Sequence, residues 1–304
     1  MSHLLTSHHR HTFSFSSLCF FFLFATLLFT ACDNPYSPPD DDDTPSTGGG
    51  GSNTGGSTNH GVSIGFNITG VEAANYDNGK GTFYNRKPKD FKADIEGAGM
   101  TVLSSHVSHN LSDAELASGD YSEALKWWKK TIADHKAAGI PFIVDPWIGK
   151  QKSLHDLDIY CRYLNAVGEM CRKEGISFGY HNHDYEFAKV EGQVMYDYML
   201  THTQPENVFF QMDMYWTVRG GCSPVEYFKR YPGRFHMFHC KDHREIGQSG
   251  MVGWDAIFRN AKTAGLQYIV AEIEQYTMPV EESVAVSARY LLQQPFVKAS
   301  YVAK

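Results

Sequence analysis

Positive charge is scarce in this chain of 304 residues, where 27 Lys and Arg stand against 34 Asp and Glu for a formal net charge of −7. Arg10 is the sole Lys or Arg in the first 60 residues, which also carry Asp33 and Asp40 to Asp43. The remainder is therefore near −3, with no basic patch to recruit nucleic acid. Cysteine is sparse too: Cys161, Cys171, Cys222 and Cys240 lack the spacing of a disulfide framework and read as buried thiols. The apolar run Leu18 to Phe29 holds 12 residues, whereas a membrane-spanning helix needs roughly 20. No Gly-rich loop for cradling phosphate is evident, which weighs against a phosphorylated substrate.

What the N-terminus does contain suits export. A weakly basic stretch, Met1 to Arg10, precedes the apolar run, which is the right length for a signal-peptide core. The run ends in Leu28-Phe-Thr-Ala-Cys32, similar to the lipobox at which a signal peptidase cuts before a cysteine that then carries lipid. Phe29 departs from the usual aliphatic residue there, and an uncleaved anchor is the alternative. Residues 1–32 are thus read as a lipoprotein signal peptide with Cys32 as the lipidation site. Residues 33–60 are acidic and then Gly/Ser/Thr/Asn-rich, and with so little apolar surface they read as a disordered tether. The expected location is periplasmic or anchored at the outer membrane or cell surface, with the lipid as the sole membrane contact.

Residues 61–304 form the folded part, ample for one large core. Strand-like runs are expected at Thr69–Ala74, Met100–His106, Pro141–Trp147, Ser177–Asp184, Val208–Tyr215, Arg234–Asp242 and Gln267–Glu274. Helix-like segments alternate with them, one carrying Tyr121, Leu125, Trp128 and Ile132 on a single face. Gly99, Gly139, Gly175 and Gly265 sit where a helix must end before the next strand. This rhythm predicts parallel βα units closed as a TIM-type (β/α) barrel. The first βα unit is missing or irregular: Val62–Phe66 could be a strand, but a parallel neighbour requires a crossover of about a dozen residues, and only a few separate it from Val71.

The chemistry-bearing residues cluster at the ends of the later strands. His181 and His183 alternate and so share one side of a strand. Asp213 lies in an apolar run where an uncompensated carboxylate would be costly. His239 and Lys241 alternate on the next strand, and Glu272 and Glu274 on the last. Imidazoles and carboxylates at the C-terminal ends of successive barrel strands are the makings of a metal site. A buried ion-pair or hydrogen-bond network of the same groups is the plainer reading. Glu72, His106 and Trp147 stand where a barrel mouth would contact substrate, the aromatic ring there being able to stack on it.

The ordered set Gly179-Tyr-His-Asn-His-Asp-Tyr-Glu-Phe187, Met212-Asp-Met-Tyr-Trp216, Tyr231-Pro-Gly-Arg-Phe235, Phe238-His-Cys-Lys-Asp242 and Val270-Ala-Glu-Ile-Glu-Gln-Tyr276 resembles the xylose isomerase-like superfamily of sugar phosphate isomerases and epimerases. The resemblance runs from about Gly70 to Leu292. It implies a divalent metal held by His181, Asp213, His239 and Glu272, with His181 standing where many epimerases have glutamate. Mixed imidazole and carboxylate ligands suit Mn, Zn, Co or Fe better than Ca, and manganese is the first choice. The implied enzyme acts on a small sugar or keto-sugar through an enediolate, with Lys241, His183 or Glu274 moving the proton. Because His181 breaks the usual carboxylate pair, a keto-sugar dehydratase or lyase is an alternative. A non-catalytic carbohydrate-binding lipoprotein is the rival outside catalysis; an endonuclease of the superfamily is disfavoured by charge. Lys241 beside a cation is expected to have a depressed pKa, with an ion pair to Asp242 or Glu245 as the alternative.

Overall fold

The computed structural model describes residues 26–28 and 70–302. The lipobox beyond Leu28, including Cys32, the tether and Val62–Phe66 lie outside the described residues. All seven expected strands are present, in slightly shorter form, as β2 (Gly70–Ala73), β3 (Thr101–His106), β4 (Phe142–Asp145), β5 (Ser177–His181), β6 (Phe209–Asp213), β7 (Met237–Lys241) and β8 (Tyr268–Glu272). Each is parallel to the next in chain order. The gap between β2 and β8 is closed by β1, Thr26–Leu28, which pairs antiparallel with both. The irregularity expected at the missing first unit is therefore an antiparallel three-residue strand from the apolar N-terminal run.

Helices between the strands cover the barrel. In the helix Ser122–Ala137, Trp128 and Ile132 are buried and Leu125 partly so; Tyr121 sits at its N-terminal boundary. The amphipathic helix Leu154–Lys173 buries Leu157, Leu164, Val167 and Cys171 against the sheet. It ends at Gly175, whose φ of 77° is the left-handed conformation in which glycine has no Cβ penalty. Cys161, Cys171 and Cys240 are buried free thiols as expected, whereas Cys222 is half-buried.

The barrel interior divides into an apolar floor and a polar mouth. Phe142, Val144, Phe209 and Met237 form the floor, with Leu103 and Tyr268 packed against them. Gly179 makes room for it, because a Cβ there would lie 2.5 Å from the Phe209 ring. Alternation then carries the same strand faces upward: from Phe209 to Gln211 and Asp213, and from Met237 to His239 and Lys241. The register aligns His181 with Gln211 and Asp213 with His239. Sequence periodicity thus sets which side chains converge at the C-terminal mouth, the end at which such barrels carry their sites.

Candidate metal and sugar site

The deepest part of the mouth is a network of four strands' side chains around Gln211. Its Oε1 accepts from His106 Nε2 at 2.8 Å and from His181 Nδ1 at 3.1 Å, while its Nε2 donates to Glu72 Oε2 at 2.8 Å. The Ser104 hydroxyl donates to the same carboxylate oxygen. The other oxygen, Glu72 Oε1, forms an ion-pair contact with His106 Nε2 at 3.0 Å and lies 3.9 Å from His239 Nε2. Burial opposes the charge on Glu72, but His106 and His239 outweigh it and hold its pKa down to about 2. Burial likewise opposes the charge on His106, and Glu72 pushes its pKa up to about 9.

His239 connects this network to the rest of the site. Its Nδ1 donates to Asp213 Oδ2 at 2.7 Å, while its Nε2 is fully buried with no hydrogen-bond partner. Asp213 Oδ1 accepts from the Trp216 backbone N–H at 2.8 Å, capping the short helix Met214–Arg219. The Asp213 backbone N–H donates to Asn182, which also hydrogen-bonds Thr217 and Tyr196. His181 is kept neutral, its pKa well below the ordinary value, by burial and then by the neighbouring imidazoles of His239, His106 and His183.

Two expectations about strand faces need correction. β5 ends at His181 and β8 at Glu272, so His183 and Glu274 lie beyond the strands and owe their positions to the following loops. The chain after His181 turns into a short 3-10 helix, Tyr185–Phe187, because Glu186 folds back to accept from the His183 backbone N–H at 2.9 Å and from the Tyr180 hydroxyl at 2.7 Å. His183 still stays 5.0 Å from His181, ring centre to ring centre, and packs among Trp147, Tyr185 and Trp216 at 5.4, 6.1 and 5.6 Å. Burial lowers its pKa, and its Nδ1 has no hydrogen-bond partner. Trp147, 46% exposed, forms the open side of this aromatic group.

Lys241 also differs from expectation. Its Nζ sits 2.6 Å from Glu274 Oε2 and 3.3 Å from Glu272 Oε2, not against Asp242 or Glu245. Burial works against its charge, but the two carboxylates prevail, and its pKa lies above the ordinary lysine value instead of below it. Asp242 and Glu245 are occupied elsewhere, by Ser249 and the Gly247 backbone, and by Ser283 and the Thr277 backbone.

Among the described residues, two trios bring potential ligand atoms within 4.8 Å of one another: His106, His181 and His239, and Asp213, His239 and Glu272. The four ligands implied by the sequence are thus divided between two groups that share His239. The orphaned His239 Nε2 is an atom that a cation would satisfy, so these residues fit one. Gln211 went unnoticed in the sequence, although a polar residue two positions before Asp213 in an apolar strand must share its face.

The chain matches the sequence profile described as xylose isomerase-like TIM barrel over residues 62–294. A sugar phosphate isomerase/epimerase from Parabacteroides distasonis ATCC 8503 is 32% identical, superposes with a TM-score of 0.69, and is matched over 85% of its length by 76% of this chain. An L-ribulose 3-epimerase shares the fold at 14% identity, with 72% of this chain covering 76% of it at a TM-score of 0.52. The IOLI protein, whose structure binds a zinc atom, shares it at 16% identity, 72% of this chain covering 84% of it at a TM-score of 0.54. No curated protein matches.

Proposed function

Since the chain belongs to the xylose isomerase-like TIM-barrel family, we propose that it is a divalent-metal-dependent sugar isomerase or epimerase acting on a small, unphosphorylated sugar or keto-sugar. The observation that carries this reading is the fully buried, unpartnered His239 Nε2, placed among clustered imidazoles and carboxylates. An unsatisfied buried polar atom is costly, and a cation would answer it. When bound, a divalent cation supplies Lewis acidity toward the oxygens of a sugar at the mouth.

The chain's own residues account for the remaining steps. Trp147, Tyr185 and Trp216 surround His183 and offer apolar ring faces to a sugar. His183, neutral near pH 7 because burial lowers its pKa, takes the proton from the carbon beside the carbonyl through a free ring nitrogen. Lys241 stays charged between Glu272 and Glu274 and stabilises the enediolate oxygen as negative charge develops. Return of the proton to the neighbouring carbon gives the isomer, and delivery of a proton to the opposite face by a second group, Glu274, gives the epimer. Glu274, exposed enough to exchange with solvent, relays protons beside Lys241. A second outcome, loss of a β-hydroxyl from the enediolate, is favoured by His181 standing where a carboxylate would complete an epimerase pair.

We also propose that residues 1–32 are a lipoprotein signal peptide cut before Cys32, which carries the lipid, and that residues 33–60 tether the enzyme. Thr26–Leu28 leaves with the signal, so the mature enzyme is the seven-stranded parallel barrel. The core reading is tested by elemental mass spectrometry of the full chain and a His239→Ala variant. About one equivalent of Mn, Zn, Co or Fe in the wild type and none in the variant supports it. A folded wild type that takes up no cation even after reconstitution leaves the sugar-binding lipoprotein as the better account.

A further inference from the structure

We infer that in the mature enzyme the gap between β2 and β8 is filled by residues 62–66, folded back on β2 as the antiparallel arm of a hairpin. The inference rests on the lipoprotein reading above, since removal of the signal takes Thr26–Leu28 away and leaves Gly70–Ala73 and Tyr268–Glu272 as unpaired edges. Such an edge presents a row of backbone N–H and C=O groups that accept another strand. The gap is one strand wide, because Thr26–Leu28 pairs with both edges at once. Leu28 faces Gly70 and Val270, and Leu27 faces Val71 and Ala271. The strand it accepts is antiparallel to both edges.

Residues 62–66 match that gap in direction, register and pattern. Asn67, Ile68 and Thr69 alone separate them from β2, too few for the crossover of a parallel neighbour but enough for a hairpin loop. So short a loop costs little entropy to close, which favours this segment over a strand from a second copy. In the register of the gap, Phe66 faces Gly70 and Val270, Gly65 faces Val71 and Ala271, and Ile64 faces Glu72. The run Val-Ser-Ile-Gly-Phe alternates strictly, as a strand buried on one face does. This register turns Phe66 inward beside the buried Val270, onto the floor where Tyr268 packs, and Gly70 has no side chain to obstruct it. Ser63 and Gly65 turn outward, on the side where the chain has no room for a covering helix. Ile64, opposite the fully buried Glu72, keeps water from that carboxylate.

The test is hydrogen exchange, read by mass spectrometry, on the full chain exported from a Gram-negative host and extracted in detergent, with the intact mass fixing its N-terminus. Expected is a product cut before Cys32 in which the amides of residues 63–66 exchange at least about 100-fold more slowly than those of residues 48–58, at any protein concentration. Exchange as fast as the tether's in a cut product overturns the inference and leaves the lipoprotein reading standing. Protection that is lost on dilution assigns the strand to a second copy and also overturns it. An uncut product overturns both readings. A Gly65→Pro variant, which removes a ladder donor from the arm, should quicken exchange in β2 and β8 by about tenfold or more. Unchanged exchange in those strands overturns the placement in the gap. The first measurement uses the unaltered chain and stands even where the variant does not fold.

Discussion

Replacing Glu72 with Gln should change how the stability of the metal-free protein depends on pH. Glu72 and His106 form a buried pair, with the carboxyl pKa held down to about 2 and the imidazole pushed up to about 9. The two shifts describe one interaction seen from each partner and are counted once. Starting from ordinary values of 4.5 and 6.5, each is worth roughly 3 kcal/mol at about 1.4 kcal/mol per pKa unit. A depressed carboxyl contributes above its unfolded pKa and loses that contribution as pH falls toward about 2. A raised imidazole contributes below its unfolded pKa and loses it as pH rises through about 9. Both conditions hold together only between about pH 4.5 and 6.5. Urea unfolding of metal-depleted wild type and Glu72→Gln should therefore differ by roughly 3 kcal/mol near pH 5.5, by about 1 kcal/mol near pH 8, and by less beyond pH 9. A difference that is constant across this range would refute the ion-pair assignment, and so would none near pH 5.5.

Other substitutions probe the floor, the cap and the mouth. Gly179→Ala should cost about 1–3 kcal/mol in thermal or urea unfolding, because its Cβ would meet the Phe209 ring at 2.5 Å. Asp213→Ala removes both the cap on Trp216 and the hydrogen bond to His239, and should lower unfolding stability by about 2–4 kcal/mol. Lys241→Met should reduce kcat on the eventual substrate by roughly 100- to 1,000-fold, as loss of an oxyanion-stabilising group does, with far-UV dichroism unchanged. Trp147→Ala should cost no more than about 1 kcal/mol of stability, since the residue is 46% exposed. It should raise KM while sparing kcat.

Much of this arrangement was readable in the chain because barrel strands announce themselves twice, by apolar content and by the helix-ending glycines before them. Gly99, Gly139, Gly175 and Gly265 all adopt positive φ as expected. Alternation likewise placed His239 with Lys241, and Asp213 beside His239, once register was supplied. It failed just beyond strand ends. His183 and Glu274 were assigned faces by a period of two that the backbone abandons after His181 and Glu272, where the Glu186 carboxylate, accepting from the His183 backbone, and the Lys241 ammonium, paired with Glu274, take over. The partners of Glu72 were illegible for another reason. Gln211 is 139 residues away, and only barrel closure brings β2 against the contents of β6. The charge state of Lys241 depends on two glutamates from β8 and its following loop, which no local pattern around Lys241 reports.

The most direct test of the account is proton exchange itself. Full-length protein loaded with Zn²⁺, Co²⁺ or Mn²⁺ is incubated in D₂O with a panel of unphosphorylated keto-sugars, and deuterium at the carbon beside the carbonyl is followed by NMR. The account predicts exchange on at least one sugar, abolished by a chelator and by His239→Ala. Binding of those sugars without any exchange, and equally in the presence of chelator, would contradict a metal-dependent isomerase.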